Sequence, residues 1–451
     1  MNNEKITRRE ALKTMAAAGT GLAVAGTILE SCRPGRTDSK DSSPKGPAPE
    51  GSKVTSRVWP KLGDTVSLLG LGCMRFPRSG GRIDQEQVNA MVDYALAHGV
   101  NYYDTAPAYG DSEVATGIAL KRHERSTYYI ATKLSNQRGA HTYEDGVAMF
   151  ERSLTNLQTD YVDYLLLHSL GNPESLKSRF LDNGLLNYLI EQKAKGRIRH
   201  LGFSYHGSND NLIKILDGNY YDWDFVQIQM NYLDWKSMNG SKDTDAETLY
   251  KALEQRGIPA TIMEPVRGGA LANVSDAMKG KLSELHPDLS PAGVALSFVA
   301  TYPNVLNTLS GMSNMEQLVE NVATFTDFKP FTDKEIEAVL RLADTYNSNK
   351  HIPCTTCRYC MPCPSNVDIP GNFTVYNTTS DELNLPDPDG PHDKEYKQRR
   401  RILLNRYNKD LVKGTSADFC TQCKVCVSKC PQHINIPSQM VMIRDLIKSI
   451  S

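Results

Sequence analysis

Between residues 54 and 330, short apolar runs alternate with longer amphipathic segments, and no other feature of this 451-residue chain restricts its fold as tightly. The apolar runs end at Tyr103, Thr132, Leu167, Phe203, Ile228, Met263 and Leu309, with one more at 69–72. Helical patterns lie between them at 85–98, 143–157, 175–195, 209–216 and 246–255. Strands alternating with helices imply right-handed crossovers and a parallel sheet. Eight such units in this length fit a closed α/β structure, a (β/α)8 TIM barrel. An open doubly wound sheet would need a glycine-rich phosphate turn leading into a helix after its first strand. LGLGCMRFP has the glycines, but no long helix follows before Gln85. Polar residues collect just past the strand ends: Asp104, Lys133, His168, Ser204, Gln227, Gln229 and Glu264. In a barrel they would converge on one rim, the face where such folds keep their chemistry.

The residues after the second strand read DTAPAYGDSEVATGIALK, the third strand ends ATK and the fourth ends DYLLLH. Here the chain resembles the aldo/keto reductase family, over essentially the whole barrel. The resemblance implies a catalytic tetrad of Asp104, Tyr109, Lys133 and His168. It places Ser204 and Gln227 at a nicotinamide amide, Met263 and Pro265 of MEPVRGGAL where an aromatic platform usually stacks, and Ser310, Gly311, Gln317, Glu320 and Asn321 of SGMSNMEQLVEN at the adenosine end. Ser313 and Asn314 stand where a cation often grips a 2′-phosphate. NADP and NAD therefore both stay open as cofactor.

The tetrad has its own chemical logic. Reducing a carbonyl by hydride requires a proton for the oxygen, and an ordinary tyrosine, with a pKa near 10, gives one reluctantly. A lysine beside the phenol is expected to lower that pKa, and an aspartate to fix the lysine. His168 would polarise the substrate oxygen. Singly, the four read as a helix cap, a packed aromatic, a surface charge and a core histidine. Together, at three strand ends, they read as an active site.

Eight of the ten cysteines fall after residue 350, in CTTCRYCMPCP and CTQCKVCVSKCP, while Cys32 and Cys73 stand alone. Zinc usually takes its four ligands as two pairs. Each run here offers three evenly spaced thiols and a fourth before proline, the pattern of a two-cluster ferredoxin in which the fourth cysteine serves the other cluster. Cys354, Cys357, Cys360 and Cys430 would hold one [4Fe-4S] cluster, and Cys420, Cys423, Cys426 and Cys363 the second. The first run has two residues before its last cysteine where three are usual, and a long insert, 372–418, separates the runs. That insert turns basic and helical at 394–411, either as a solvated surface or as a docking face for an acidic redox partner. A small helical ferredoxin-like iron-sulfur domain over 351–451 is the expectation, joined to the barrel of 54–330 by a connecting helix at 331–350.

The N-terminus carries Arg8 and Arg9 ahead of a weak apolar run at 15–29. That run is shorter than the roughly 20 apolar residues needed to cross a bilayer. The order of arginine pair, apolar run and polar tail reads as a twin-arginine export signal over 1–32. LESC makes Cys32 a candidate for lipidation, and cleavage after Ala25 is the competing reading. The Gly/Pro/Ser/Lys-rich stretch 33–53 cannot bury enough apolar surface to fold and reads as a disordered linker. With a formal net charge of −1, nothing calls for nucleic acid. The chain thus reads as an exported oxidoreductase, periplasmic or lipid-anchored, that interconverts a small carbonyl and an alcohol. It would pass through the twin-arginine translocase already folded, with its clusters in place, and meet a redox partner at the membrane. The alternative is a periplasmic electron-transfer protein whose barrel is only a scaffold.

Overall fold

The computed structural model describes residues 47–49, 51–136, 142–347, 351–382 and 384–451. Arg8, Arg9 and Cys32 lie outside the described residues. The apolar runs form strands β1 (Leu69–Gly72), β2 (Tyr102–Asp104), β3 (Tyr129–Leu134), β4 (Val162–Leu170), β5 (Ile198–Tyr205), β6 (Val226–Gln229), β7 (Ala260–Met263) and β8 (Val305–Ser310). They close into a barrel in sequence order, with every neighbouring pair parallel and β8 joined to β1. Such strands are buried on both faces, which is why they read as continuous apolar runs rather than as alternation. Gly72 pairs with Asp104 and Leu166 with Lys133, so the polar strand ends surface at one rim.

An antiparallel hairpin, Ser56–Trp59 with Asp64–Ser67, lies under the opposite end. Its Leu62 and Val66 pack into the barrel interior with Tyr102, Ala131, Tyr164 and Phe225. Buried Asp64 accepts from the Tyr164 hydroxyl at 2.6 Å and pairs with Arg199 at 2.7 Å. The periodicity did not reveal this plug.

Helices Gln85–Ala97, Tyr143–Leu157, Asn209–Asp217 and Ala246–Glu254 cover the outside of the sheet where expected. Side-chain caps start three of them: Asp84 accepts from the Gln87 N–H at 3.1 Å, Thr142 from the Asp145 N–H at 3.1 Å, and Asp245 from the Thr248 N–H at 2.7 Å. The single helix expected at 175–195 is instead Pro173–Leu176, a wide turn Lys177–Leu181, and Leu185–Ala194. Gly184 breaks it, with φ of 76°, a region glycine enters without steric penalty. Helix Pro291–Ala300 is buried along nearly its whole length. It therefore carries no amphipathic stripe for sequence reasoning to find.

Helix Asp333–Asn347 leads from the barrel to the cysteine-rich tail. Three tail helices, Ile369–Asp381, Lys394–Lys409 and Ile436–Ile450, pack around Val367, Phe373, Leu403 and Ile443. Part of the basic helix is used internally: Arg406 pairs with Glu382 at 2.7 Å, and Arg400 donates to the Ser451 carbonyl at 2.8 Å. The tail sits on the catalytic rim, within the same compact unit as the barrel, 42–451. Arg75 donates to the Thr355 carbonyl at 2.9 Å, and the Gln432 amide to Gln229 at 3.1 Å. At Gly268 the backbones come so close that a Cβ would lie 1.9 Å from the Thr355 carbonyl oxygen.

Candidate active site

Asp104 ends β2 and Lys133 lies near the end of β3, so adjacent parallel strands bring the pair together inside the rim. The Lys133 ammonium donates to Asp104 Oδ1 at 2.5 Å and to the Thr105 carbonyl at 2.9 Å. Both side chains are almost fully buried, at 1% and 6% exposure, which is tolerable for charges only when they are paired and hydrogen-bonded. Asp104 Oδ2 accepts from the Gln227 amide at 3.2 Å. Tyr109 follows on a short turn, Pro107–Tyr109, and lays its ring 5.1 Å from the Lys133 nitrogen.

His168, within β4, meets the Tyr109 ring edge-on at 5.9 Å between centroids. Its Nδ1 lies 2.6 Å from the Ser135 hydroxyl, leaving Nε2 for a ligand. The His168 carbonyl is held by Arg179 at 2.5 Å, and Arg179 also forks onto Asn136 Oδ1. Burial, then the neighbouring Lys133, His206 and Arg179, push the imidazole well below its usual pKa. At neutral pH it is uncharged. The four tetrad residues are thus brought together, but one expectation is corrected. Tyr109 is held well above the ordinary phenol range by burial first, and then by Tyr359, Asp104 and Glu264. The physical reason is burial, which disfavours the charged phenolate.

A cleft of about 1480 Å³ opens above the tetrad. Gln227, Met263, Pro265, Ser310, Gly311, Gln317, Glu320 and Asn321 all line it, along with Asp104, Tyr109 and His168. Ser204 is different: it is buried, and its hydroxyl accepts from the Ser169 N–H at 2.8 Å. The far end is braced by Asn321 donating to Ser310 at 2.9 Å and by Ser313 N–H donating to Gln317 at 2.8 Å. Gly311 allows close approach there, since a Cβ would lie 3.0 Å from the Arg75 side chain. A cleft of this volume, lined by polar groups and by glycines that allow close approach, fits a dinucleotide.

The eight tail cysteines fall into two groups of four. Cys354, Cys357, Cys360 and Cys430 lie within electrostatic reach of one another, and Cys426 within reach of Cys420, Cys423 and Cys363. Each group takes its fourth thiol from the other run. A backbone N–H points at one of the sulfurs, Thr356 donating to Cys354 at 3.4 Å. Hydrogen bonds to sulfur are the environment that thiolate-bound clusters require. Among the described residues, no three His, Cys, Asp or Glu side chains converge as ligands of a single ion. The donor set fits the wider cluster better than zinc.

Sequence reasoning missed several residues of the cleft. Tyr359, from inside the first cysteine run, reaches Tyr109 with its hydroxyl. Glu264 takes φ of 57°, buries an unpartnered Oε2, and is pushed up to about 6 by burial. Arg75 and Lys279 bring cations to the wall. Only Glu264 had a sequence signal, as a polar residue just past β7.

The aldo/keto reductase family profile matches residues 68–344, and a 4Fe-4S dicluster domain profile matches 353–436. Among curated relatives, the chain is 26% identical over 315 residues to the L-galactose dehydrogenase of Arabidopsis thaliana, covering 64% of this chain and 95% of the relative. It is 27% identical over 298 residues to the NADH-specific methylglyoxal reductase of Escherichia coli (strain K12), covering 57% of this chain and 90% of the relative. Among solved structures, an aldo-keto reductase from Bacillus halodurans in its holo form superposes with a TM-score of 0.52 at 24% identity, covering 64% of this chain and 96% of that one. The fold is shared with these enzymes, and the chain belongs to the aldo/keto reductase family, carrying a C-terminal 4Fe-4S dicluster domain.

Proposed function

We propose that this oxidoreductase interconverts a small carbonyl compound and its alcohol at the barrel rim, with Tyr109 as general acid and base. The observation that carries the reading is the meeting of a buried Lys133–Asp104 pair, a protonated phenol and a neutral imidazole under one long cleft. A bound nicotinamide supplies the hydride. The cleft residues Gln227, Ser310, Gly311, Gln317 and Asn321 hold that dinucleotide, with Met263 and Pro265 beside the ring. Ser204 supports the rim from beneath. Glu320 contributes through Ser290, to which it is bonded.

Tyr109, protonated at neutral pH, gives its proton to the substrate oxygen. Lys133 stabilises the phenolate that forms, and Asp104 keeps the ammonium in place. A Ser135 hydroxyl donating to Nδ1 leaves the His168 proton on Nε2, where it orients the same oxygen. The relatives named for methylglyoxal and L-galactose support small aldehydes and sugars as the substrate class. The two thiol groups hold [4Fe-4S] clusters that brace the tail or pass single electrons to a redox partner.

The test is anaerobic purification followed by NADH- and NADPH-dependent turnover of small aldehydes. Tyr109→Phe should lower kcat by about 10²–10⁴-fold with nucleotide affinity unchanged. Unchanged turnover would remove Tyr109 from the chemistry, and a wild-type protein inert with both nucleotides would favour the scaffold reading.

Export by the folded route follows from the Arg8–Arg9 signal together with clusters that must be assembled where thiols stay reduced. The exported protein would be periplasmic, or lipid-anchored through Cys32. Replacing both arginines by lysine should strand the precursor inside the cell, because lysine lacks the planar guanidinium fork. Normal export on fractionation would point to the general secretory path instead.

A further inference from the structure

The loop that binds the first thiol group is also a wall of the active site. Cys357, Arg358, Tyr359 and Met361 line the same cleft as Tyr109 and His168. Tyr359 is the hinge of this contact. Its backbone N–H lies near the Cys357 sulfur, and its side-chain hydroxyl stands within reach of the Tyr109 phenol in the cleft that both residues line. The Lys133 nitrogen is directed at Asp104 and the Thr105 carbonyl and stands 5.1 Å from the Tyr109 ring centroid. The hydroxyl that must face the substrate therefore has a neighbour from the iron-sulfur domain as well as from the barrel.

We infer that Tyr359 is a positioning residue for carbonyl reduction: it fixes the Tyr109 hydroxyl, and it is itself fixed by the cluster loop, so cluster assembly completes the barrel's active site. This rests on the reading of Tyr109 as proton donor. A free phenol hydroxyl rotates, and only one direction points at the carbonyl oxygen. Geometry of that kind acts on the chemical step more than on ground-state binding.

The experiment compares wild type, Tyr359→Phe and Tyr359→Leu as full-length holoproteins purified without oxygen, with methylglyoxal as the probe. Iron content, the paramagnetic-resonance signals of the reduced clusters and NADH affinity by fluorescence are measured alongside kcat and KM. Tyr359→Phe is expected to keep its iron, its cluster signals and its NADH affinity. Its kcat should fall roughly tenfold, while KM changes less than about threefold. A Phe variant with wild-type kcat, and a loss seen only in the Leu variant, would reduce Tyr359 to ring packing and overturn the inference. A Phe variant that loses iron or NADH affinity in step with kcat would overturn it too, by making the effect structural. Failure of the underlying reading looks different: wild type itself would show no nucleotide-dependent turnover, and the inference would fall with it.

Discussion

Replacing Gly268 by alanine should separate the two halves of the protein without touching a reacting group. A Cβ at this position lies 1.9 Å from the Thr355 carbonyl oxygen and 2.6 Å from its carbon. Ordinary contact starts at 3.4 Å, so the loops must part by about 1.5 Å, the difference between 3.4 and 1.9. Both partners are backbone, and no rotamer change can relieve the overlap. Gly268 also has φ of 65°, a conformation that adds about 1 kcal/mol or more for a residue with a side chain. Two hydrogen bonds are strained in addition, Arg75 to Thr355 and Thr356 to the Gly268 carbonyl, each worth about 1 kcal/mol. The docked arrangement should thus weaken by about 2–4 kcal/mol. Tyr359, four positions beyond Thr355, would move with its loop, and misplacement on the 1 Å scale can lower turnover by about 10²-fold. Amide hydrogen exchange of segments 264–272 and 353–363 in the holoprotein, with kcat/KM for methylglyoxal, reads both effects. Gly280→Ala is the control, because it lies within helix Asp276–Leu285 with nothing within 4 Å of its added methyl. Wild-type protection and turnover in Gly268→Ala would refute the reasoning.

The division of thiols predicts that Cys430→Ser damages the same cluster as Cys354→Ser, although Cys430 belongs to the second run. Paramagnetic resonance that shows Cys430→Ser matching Cys420→Ser instead would assign each run its own cluster. A second prediction concerns pH. Burial pushes the Asp381 carboxyl up to about 6, so its contribution to stability is present below pH 4 and is lost as pH rises through 6. His351, 3.6 Å away, is pushed down to about 3 by burial; its contribution is present above pH 6.5 and is lost as pH falls. The two slopes oppose each other in wild type. Asp381→Asn should leave the His351 slope alone, with exchange protection at His351 and Ile352 rising between pH 5 and 6.5. A pH dependence identical to wild type would show that Asp381 does not titrate in this range.

The barrel could be read from sequence because parallel strands buried on both faces must be apolar throughout, and because each run stops at a polar residue such as Asp104 or His168. The cysteines were legible through spacing alone. What escaped has a common cause: it depends on contacts between segments that leave no period. Gly268 and Thr355 meet through backbone atoms, and the plug strands of the hairpin are only four residues each. Tyr359 looked like a spacer between two ligands. The expected lowering of the Tyr109 pKa is outweighed by burial, which depends on the packed rim and leaves no mark in the sequence.

The exchange of fourth thiols between the two runs constrains how the protein can be made. The set of Cys354, Cys357 and Cys360 is incomplete until Cys430 is available, and the set that takes Cys363 is incomplete until Cys426 is. The barrel, by contrast, has all of its strands by Ser310. Folding of the sheet can therefore run ahead on the ribosome, while metal loading must wait for the second cysteine run. A chain cut between Pro364 and Phe419 would lose both clusters at once, not one.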